Sequence, residues 1–346
     1  MKHSVYFVGI DVGGSTMKGG VVDDNGKPLS SVTLPTEAAQ GQEHGLRQMA
    51  ETIRQAVAAA GLNLNQIAAI GVATPGTMDI PGGLILDPPN LKPWQNVPVR
   101  RYIRDTFSLP TAFQNDANAA AYGEFWVGAG KDMHSLVLFT LGTGIGCGIV
   151  IGDLIIEGEH SHGAEVGHMK IEMTNPRQCG CGRWGCLEAY ASATAVVKRT
   201  REALATEAQS ALHAVLMGEN ELSARNIFDT AAKGDALAQK IVEDTAFYLA
   251  VGAMNMMHTI DPDMVAFSGG MIGAGEPFLE RIRHHVRQLA FPVPAAKTQI
   301  RYALLGSDAG FIGAAACARL LHRQKAGKVL GTSHVLAFSA LFMFRL

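Results

Sequence analysis

Glu165-Val-Gly-His168, followed by Cys179-Gly-Cys181-Gly-Arg-Trp-Gly-Cys186-Leu-Glu188, gathers three thiols, an imidazole and two carboxylates into one stretch. Three cysteines and a histidine make the usual closed, tetrahedral set for structural zinc. Cys179 and Cys181 can grip a metal from one tight turn, because Gly180 and Gly182 tolerate the backbone angles it demands. Gly185 turns the chain back so that Cys186 can close the site. The plainer alternative is a glycine-rich loop with unpaired buried cysteines. Against it, three of the five cysteines fall between positions 179 and 186. Glu165 lies one helical turn or one short loop before His168, and Glu188 follows Cys186 closely. A zinc knot here holds both acids in place, as a polyol site needs. His160 and His162 lie just upstream, either as surface histidines or as rivals to His168 for the metal.

A second group of candidates sits on glycine turns. Asp11-Val-Gly13-Gly14-Ser15-Thr16-Met-Lys18 follows one apolar run, and Leu141-Gly142-Thr143-Gly144-Ile-Gly146 follows another. Neither is a Walker loop, which needs four residues between its glycines and then Gly-Lys-Ser/Thr. Nor is the second a dinucleotide fingerprint, because a β-like run follows it rather than a helix. A glycine turn between antiparallel strands can instead offer bare backbone N–H groups and hydroxyls to phosphate oxygens. Two such turns facing each other would clamp a nucleotide tail, with Asp11 placed to hold Mg²⁺ through water. Ser268-Gly269-Gly270-Met271 is a third glycine turn.

Asp116 stands at a strand-to-helix junction, where open α/β sheets put their ligands, but an aspartate there can also simply cap the helix. Asn90 lies in a proline-rich loop, where asparagine also occurs for turn reasons alone. Glu165 and Glu188 can be read as solvated charges, although both adjoin the metal site. Cys147 and Cys317 sit in apolar surroundings and read as small core residues.

The elements that must position these groups follow from hydrophobic spacing. Residues 5–10 read as a buried strand, 20–23 as its return and 29–34 as a third strand after Asp24-Asn25-Gly26. Residues 43–60 have helical spacing, 67–73 read as a strand, 75–98 as a Pro/Gly-rich loop and 99–107 as a helix. A strand at 111–114 runs into an alanine-rich helix ending near Trp126. The pattern restarts at 135–141, turns at Gly142–Gly146 and returns at 147–151, with a further hairpin beginning at Gly152-Asp153. The strand–glycine turn–strand unit thus occurs twice, about 130 residues apart, which predicts two halves of related architecture. Helices at 236–258, 276–289 and 308–321 and strands at 264–267 and 299–303 complete the pattern.

At 346 residues the chain can hold two cores. It is 47% hydrophobic and 17% charged, and its net charge of −2 leaves no electrostatic footprint for nucleic acid or an anionic membrane. Clustered rather than paired cysteines point to a reducing compartment, and the N-terminus has no secretory pattern, so a cytoplasmic protein is expected. The run Val335–Phe344 is apolar but shorter than the roughly 20 residues a bilayer span needs. It is expected to be a packing tail or an extension.

The three glycine motifs resemble the phosphate and adenosine motifs of the actin/hexokinase superfamily. Glu165-x-Gly-His168 with Cys179-x-Cys181-Gly-x-x-Gly-Cys186-x-Glu188 resembles the signature of the ROK family of sugar kinases and repressors. Within it the motifs are most similar to those of bacterial glucokinases, over roughly residues 5–322. The resemblance implies an α/β, two-domain actin/hexokinase-like fold around a cleft, with a structural zinc loop at 165–188. The small domain would comprise residues 1–116 plus 306–325 and the large one 117–305, with 326–346 unassigned. It implies Asp116 as general base and Gly76, Asn90, Asn115, Glu165, His168 and Glu188 as further sugar contacts. Nucleotide contacts would come from Asp11, Gly13, Gly14, Ser15, Thr16, Lys18, Gly142, Thr143, Gly144, Gly146, Gly269 and Gly270. His168, Cys179, Cys181 and Cys186 would hold zinc.

The implied reaction is ATP- and Mg²⁺-dependent phosphorylation of a hexose 6-hydroxyl by a homodimer. Glucose is the favoured substrate, with N-acetylmannosamine, N-acetylglucosamine, allose and fructose as alternatives. A repressor of the family would carry a DNA-binding helix-turn-helix ahead of the first strand. That strand is expected here at about residue 5, so an enzyme is expected.

Overall fold

In the computed structural model, residues 4–206, 209–217 and 222–329 are described. The chain opens with β1 (Tyr6–Val12), whose nearly unbroken burial explains its continuous apolar character, and a tight turn reverses it into β2 (Thr16–Asp23). β3 (Val32–Pro35) pairs with β2 and starts three residues later than the apolar pattern suggests. There the Val21 N–H donates to the Ser30 hydroxyl at 3.1 Å instead of to a ladder carbonyl. α1 (Gln42–Ala59) buries Leu46, Met49, Ile53 and Val57, one helical stripe. Next come β4 (Ile67–Thr74), β5 (Thr77–Asp79), β6 (Leu84–Asp87), α2 (Val99–Phe107), β7 (Thr111–Asn115) and α3 (Asp116–Val127). The β5–β6 hairpin lies in the segment expected to be loop. Its strands are too short to leave a periodic signal, yet Met78 and Ile85 are buried.

The second half starts with β8 (Ser135–Leu141), β9 (Ile145–Ile151) and β10 (Leu154–Ile155). It continues with α4 (Glu188–Ala191), α5 (Ala193–Leu204), α6 (Leu212–Met217), α7 (Ala224–Ala232) and α8 (Ala236–Ile260). β11 (Met264–Ser268), α9 (Glu276–Leu289), α10 (Pro292–Lys297), β12 (Gln299–Tyr302) and α11 (Ala309–Val329) close the described chain.

Among the described residues these strands make two five-stranded sheets, ordered β3-β2-β1-β4-β7 and β10-β9-β8-β11-β12. In each, three antiparallel strands are followed by two parallel ones. The doubled architecture expected from the repeated strand–turn–strand unit is therefore present. α3 and α11 pack against each other, α11 on the first sheet and α3 on the second. Glycine makes this possible. Gly9 and Gly71 face each other across β1 and β4, and a Cβ on either would lie 1.8 Å from a carbonyl oxygen of α11. Where the two helices cross, a Cβ on Gly313 would lie 1.8 Å from the Ala119 carbonyl oxygen.

Glu124, fully buried, locks the end of α3 to the segment entering α11. Its carboxylate accepts from Ala129 N at 2.8 Å, Leu304 N at 3.0 Å and Leu305 N at 2.7 Å. The apolar run Val335–Phe344 lies outside the described residues. Among those described, no helix is long and apolar enough to cross a membrane.

Candidate active site

β7 delivers Asn115 and Asp116 to the start of α3, and the junction divides their tasks. Asn115 is the N-cap: its Oδ1 accepts from Ala117 N at 2.9 Å and Asn118 N at 3.2 Å. Asp116 is the first helical residue, with Oδ1 accepting from Ala117 N at 2.8 Å. The cap that the sequence left open for Asp116 thus belongs to its neighbour. Burial pushes the Asp116 carboxyl up to about 6, with the Ala117 N–H acting against it and the Glu165 charge adding to it. Asp11, at the end of β1, is pushed up to about 7, first by burial and then by the charge of Asp116, with Lys18 acting against. The Asp116 charge acting on buried Asp11 leaves a surplus of negative charge there, which fits a divalent ion beside Asp11.

A cavity of about 640 Å³ opens between the sheets in front of Asp116. Gly76, Asn90, Asn115, Asp116, Glu165, His168 and Glu188, all the expected sugar contacts, line it. Thr140, Cys147, His162 and Cys181 join them, and none of the four was expected there. A second cavity, of about 560 Å³, is lined by Gly142, Thr143 and Gly270 together with Arg225, Phe228, Asp229 and Met271. The turn between β8 and β9 lies between the two: Gly142 lines both, and Gly144 and Gly146 line the first. Gly269 also lines the first cavity.

The turn between β1 and β2 is placed differently. Asp11, Gly13, Gly14, Ser15, Thr16 and Lys18 line neither cavity. The turn closes through Gly13 N to Thr16 O at 2.8 Å and is tied to Thr36, whose hydroxyl donates to Gly13 O at 2.7 Å. Gly14 lies against Asn90, where an added Cβ would come 3.0 Å from the carbonyl oxygen. The Lys18 ammonium is engaged with Asp308 at 2.5 Å and the Ser307 hydroxyl at 3.0 Å, ahead of α11.

The thiol cluster is built as a knuckle of short backbone bridges. Lys170 pairs with Cys186 and Gln178 with Trp184, and Cys179 N donates to Arg183 O at 2.8 Å. These contacts bring one donor atom from each of His168, Cys179, Cys181 and Cys186 within 4.8 Å of one another. Cys179 Sγ lies 3.7 Å from His168 Nδ1, and Cys181 Sγ lies 3.8 Å from Cys186 Sγ. Bonds of about 2.0–2.3 Å at tetrahedral angles put ligand atoms roughly 3.3–3.8 Å apart, so the four donors fit zinc. His160 and His162 are outside this cluster; His162 Nδ1 is paired with the His160 carbonyl at 2.5 Å. Glu188, the first residue of α4, accepts from Ile145 N at 2.9 Å and from the Cys179 thiol at 3.3 Å.

The sequence profile of the ROK family matches residues 7–320. The chain belongs to the ROK family. Among its relatives, the glucokinase of Thermotoga maritima is 34% identical over 308 residues, which are 89% of this chain and 95% of that protein. The crystal structure of ROK hexokinase from Thermus thermophilus is 32% identical with a TM-score of 0.80, over 92% of this chain and 99% of that one. That of a ROK family glucokinase from Streptomyces griseus, in complex with glucose and AMPPNP, is 31% identical with a TM-score of 0.76, over 91% and 99%. The ROK chain described here therefore has the actin/hexokinase-like α/β fold of these kinases. Repressors match as well. The xylose repressor of Caldicellulosiruptor bescii is 30% identical over 79% of this chain and 68% of its own length.

Proposed function

We propose that this ROK protein is an ATP-dependent sugar kinase that phosphorylates glucose on its 6-hydroxyl. The observation that carries the reading is the cavity of about 640 Å³ in which Asn90, Asn115, Glu165, His168 and Glu188 converge around one partly desolvated carboxyl, Asp116. Carboxylates suit paired sugar hydroxyls because each can accept more than one hydrogen bond, and a ligand lacking those hydroxyls leaves them unpaired. A carboxyl held near 6 is largely ionised at pH 7 yet basic enough to take the proton of the attacking hydroxyl. The kinase relatives, one solved with glucose and AMPPNP, support the same reading.

ATP would lie with its base in the cavity lined by Arg225, Phe228 and Asp229 and its phosphates along Gly142–Gly146. Asp11 would hold, through water, the Mg²⁺ that neutralises phosphate charge when bound, and Asp116 stays free as the base. Zinc would be held by His168, Cys179, Cys181 and Cys186. Residues 1–116 plus 306–325 and 117–305 would form two domains that close on the sugar and exclude competing water. A cytoplasmic homodimer is part of the same proposal.

An ADP-release assay across a hexose panel tests it. Glucose is expected to have the highest kcat/KM, and an N-acetylated hexosamine that outperforms it at least about tenfold would overturn the assignment to glucose. No ADP release with any hexose, together with saturable sugar binding, would favour a regulator.

A further inference from the structure

Lys170 lies outside the set of groups assigned above to sugar, nucleotide or metal. It sits two positions after His168, and its backbone bridges that of Cys186 across the knuckle. That pairing puts the two side chains on neighbouring positions, the arrangement in which cross-strand groups meet. The Lys170 ammonium donates to Cys186 Sγ at 2.9 Å. Cys186 is fully buried, whereas Lys170 reaches it from the exposed side of the loop.

Charge explains why a cation is useful there. Three thiolates and an imidazole around a divalent ion leave one net negative charge. Glu165 and Glu188 line the cavity beside the cluster and add to it. A buried thiolate that accepts a charge-assisted hydrogen bond is stabilised over one facing only apolar groups. Contacts of this kind around a metal typically alter affinity by about 10–100-fold.

We propose that Lys170 is a positioning residue of the zinc site, holding the Cys186 thiolate by a charged hydrogen bond and thereby slowing zinc loss. The inference rests on the zinc reading but not on the choice of sugar. It also gives the knuckle a charged partner outside the sugar cavity, whose lining includes His168 and Glu188 but not Lys170.

The test uses purified full-length protein as wild type, Lys170→Met and Lys170→Arg. Zinc content is measured first, and zinc loss to excess chelator is then followed. Lys170→Met is expected to speed the loss by about tenfold or more, with Lys170→Arg close to wild type. A loosened loop would also speed zinc loss, so the thiolate is read directly in cobalt-substituted protein. Loss of the donor should move the sulfur-to-cobalt charge-transfer band to lower energy in Lys170→Met and not in Lys170→Arg, while the bands of tetrahedral cobalt persist. Unchanged zinc loss, or an unmoved band, overturns the role of Lys170. Wild-type protein without zinc overturns the metal reading and this inference with it. Should Lys170→Met fail to fold, Lys170→Leu, which also removes the charge and the donor, carries the same measurements.

Discussion

Replacing Asp116 by asparagine separates a catalytic carboxylate from a structural one, because the two roles move rate and stability in opposite directions. Asparagine keeps the shape and an oxygen for Ala117 N, and the cap itself is made by Asn115, so the start of α3 survives. What is lost is the basic group. General-base assistance is typically worth about 10²–10⁴-fold, so kcat should fall at least about a hundredfold. Stability should rise. The carboxyl moves from 3.8 to about 6 on folding, so the folded state binds its proton more tightly than the unfolded one. Ionised Asp116 therefore costs stability above about pH 4, increasingly up to about pH 6. At 1.36 kcal/mol per pKa unit the cost is at most roughly 3 kcal/mol, and about half that once the partial exposure of the residue is allowed for. Asparagine escapes it, so Tm should rise by a few degrees at pH 8, with the gain fading toward pH 4. Steady-state kinetics and thermal melts on one variant measure both. Near-normal turnover would remove the base from the mechanism, and a lower Tm at pH 8 would show that the carboxylate is structural.

Three further substitutions probe the surroundings. Cys181→Ser should lose zinc and sugar affinity together, because the cluster ligand His168 also lines the sugar cavity and Glu188 follows Cys186 by two residues; metal analysis and sugar titration check it, and metal-free protein with full sugar affinity would refute it. Glu124→Ala removes the acceptor of the N–H groups of Ala129, Leu304 and Leu305, of which the first is buried, for an expected loss of roughly 2–4 kcal/mol and a Tm lower by about 5 °C. Little change in the melt would mean that water replaces the carboxylate. In Gly144→Ala the new Cβ would lie 2.3 Å from Glu188 Oε2, a carboxylate pinned on both sides, so KM for the sugar should rise at least about tenfold. An unchanged KM would mean that Glu188 has room to move.

Much of the frame was readable because burial writes itself into sequence. β1, β4, β8 and β11 lie inside their sheets and read as continuous apolar runs. The glycine turns were equally visible, since glycines cluster at the reversals between β1 and β2 and between β8 and β9. What escaped was carried by single residues without a pattern. Arg225, Phe228 and Asp229 reach the second cavity from the side of α7 opposite buried Ile227, Thr230 and Ala231, and on a short helix such a face looks like ordinary surface. His162 lines the first cavity because Ser161 takes a positive φ and offers its hydroxyl oxygen to Ile80 N at 2.9 Å, a long-range contact with no local signature. The engagement of Lys18 with Asp308 is hidden for the same reason, as its partner lies 290 positions away.

Glu188 shows why the metal, sugar and nucleotide sites of such a protein are best treated as one object. One carboxylate oxygen accepts from Ile145 N, inside the glycine turn that lies between the two cavities. The other accepts from the thiol of Cys179, a member of the metal cluster. A thiol can make that second bond, but a thiolate has no proton to donate. Metal binding, which requires the thiolate, must therefore break it and leave the oxygen free to accept from another donor. The carboxylate stays in position through Ile145 and through its place at the start of α4, only two residues from Cys186. Loading the knuckle thus turns an oxygen satisfied within the protein into one that needs a hydroxyl. In the proposed complex the sugar would supply that hydroxyl, at the wall along which the phosphates would lie.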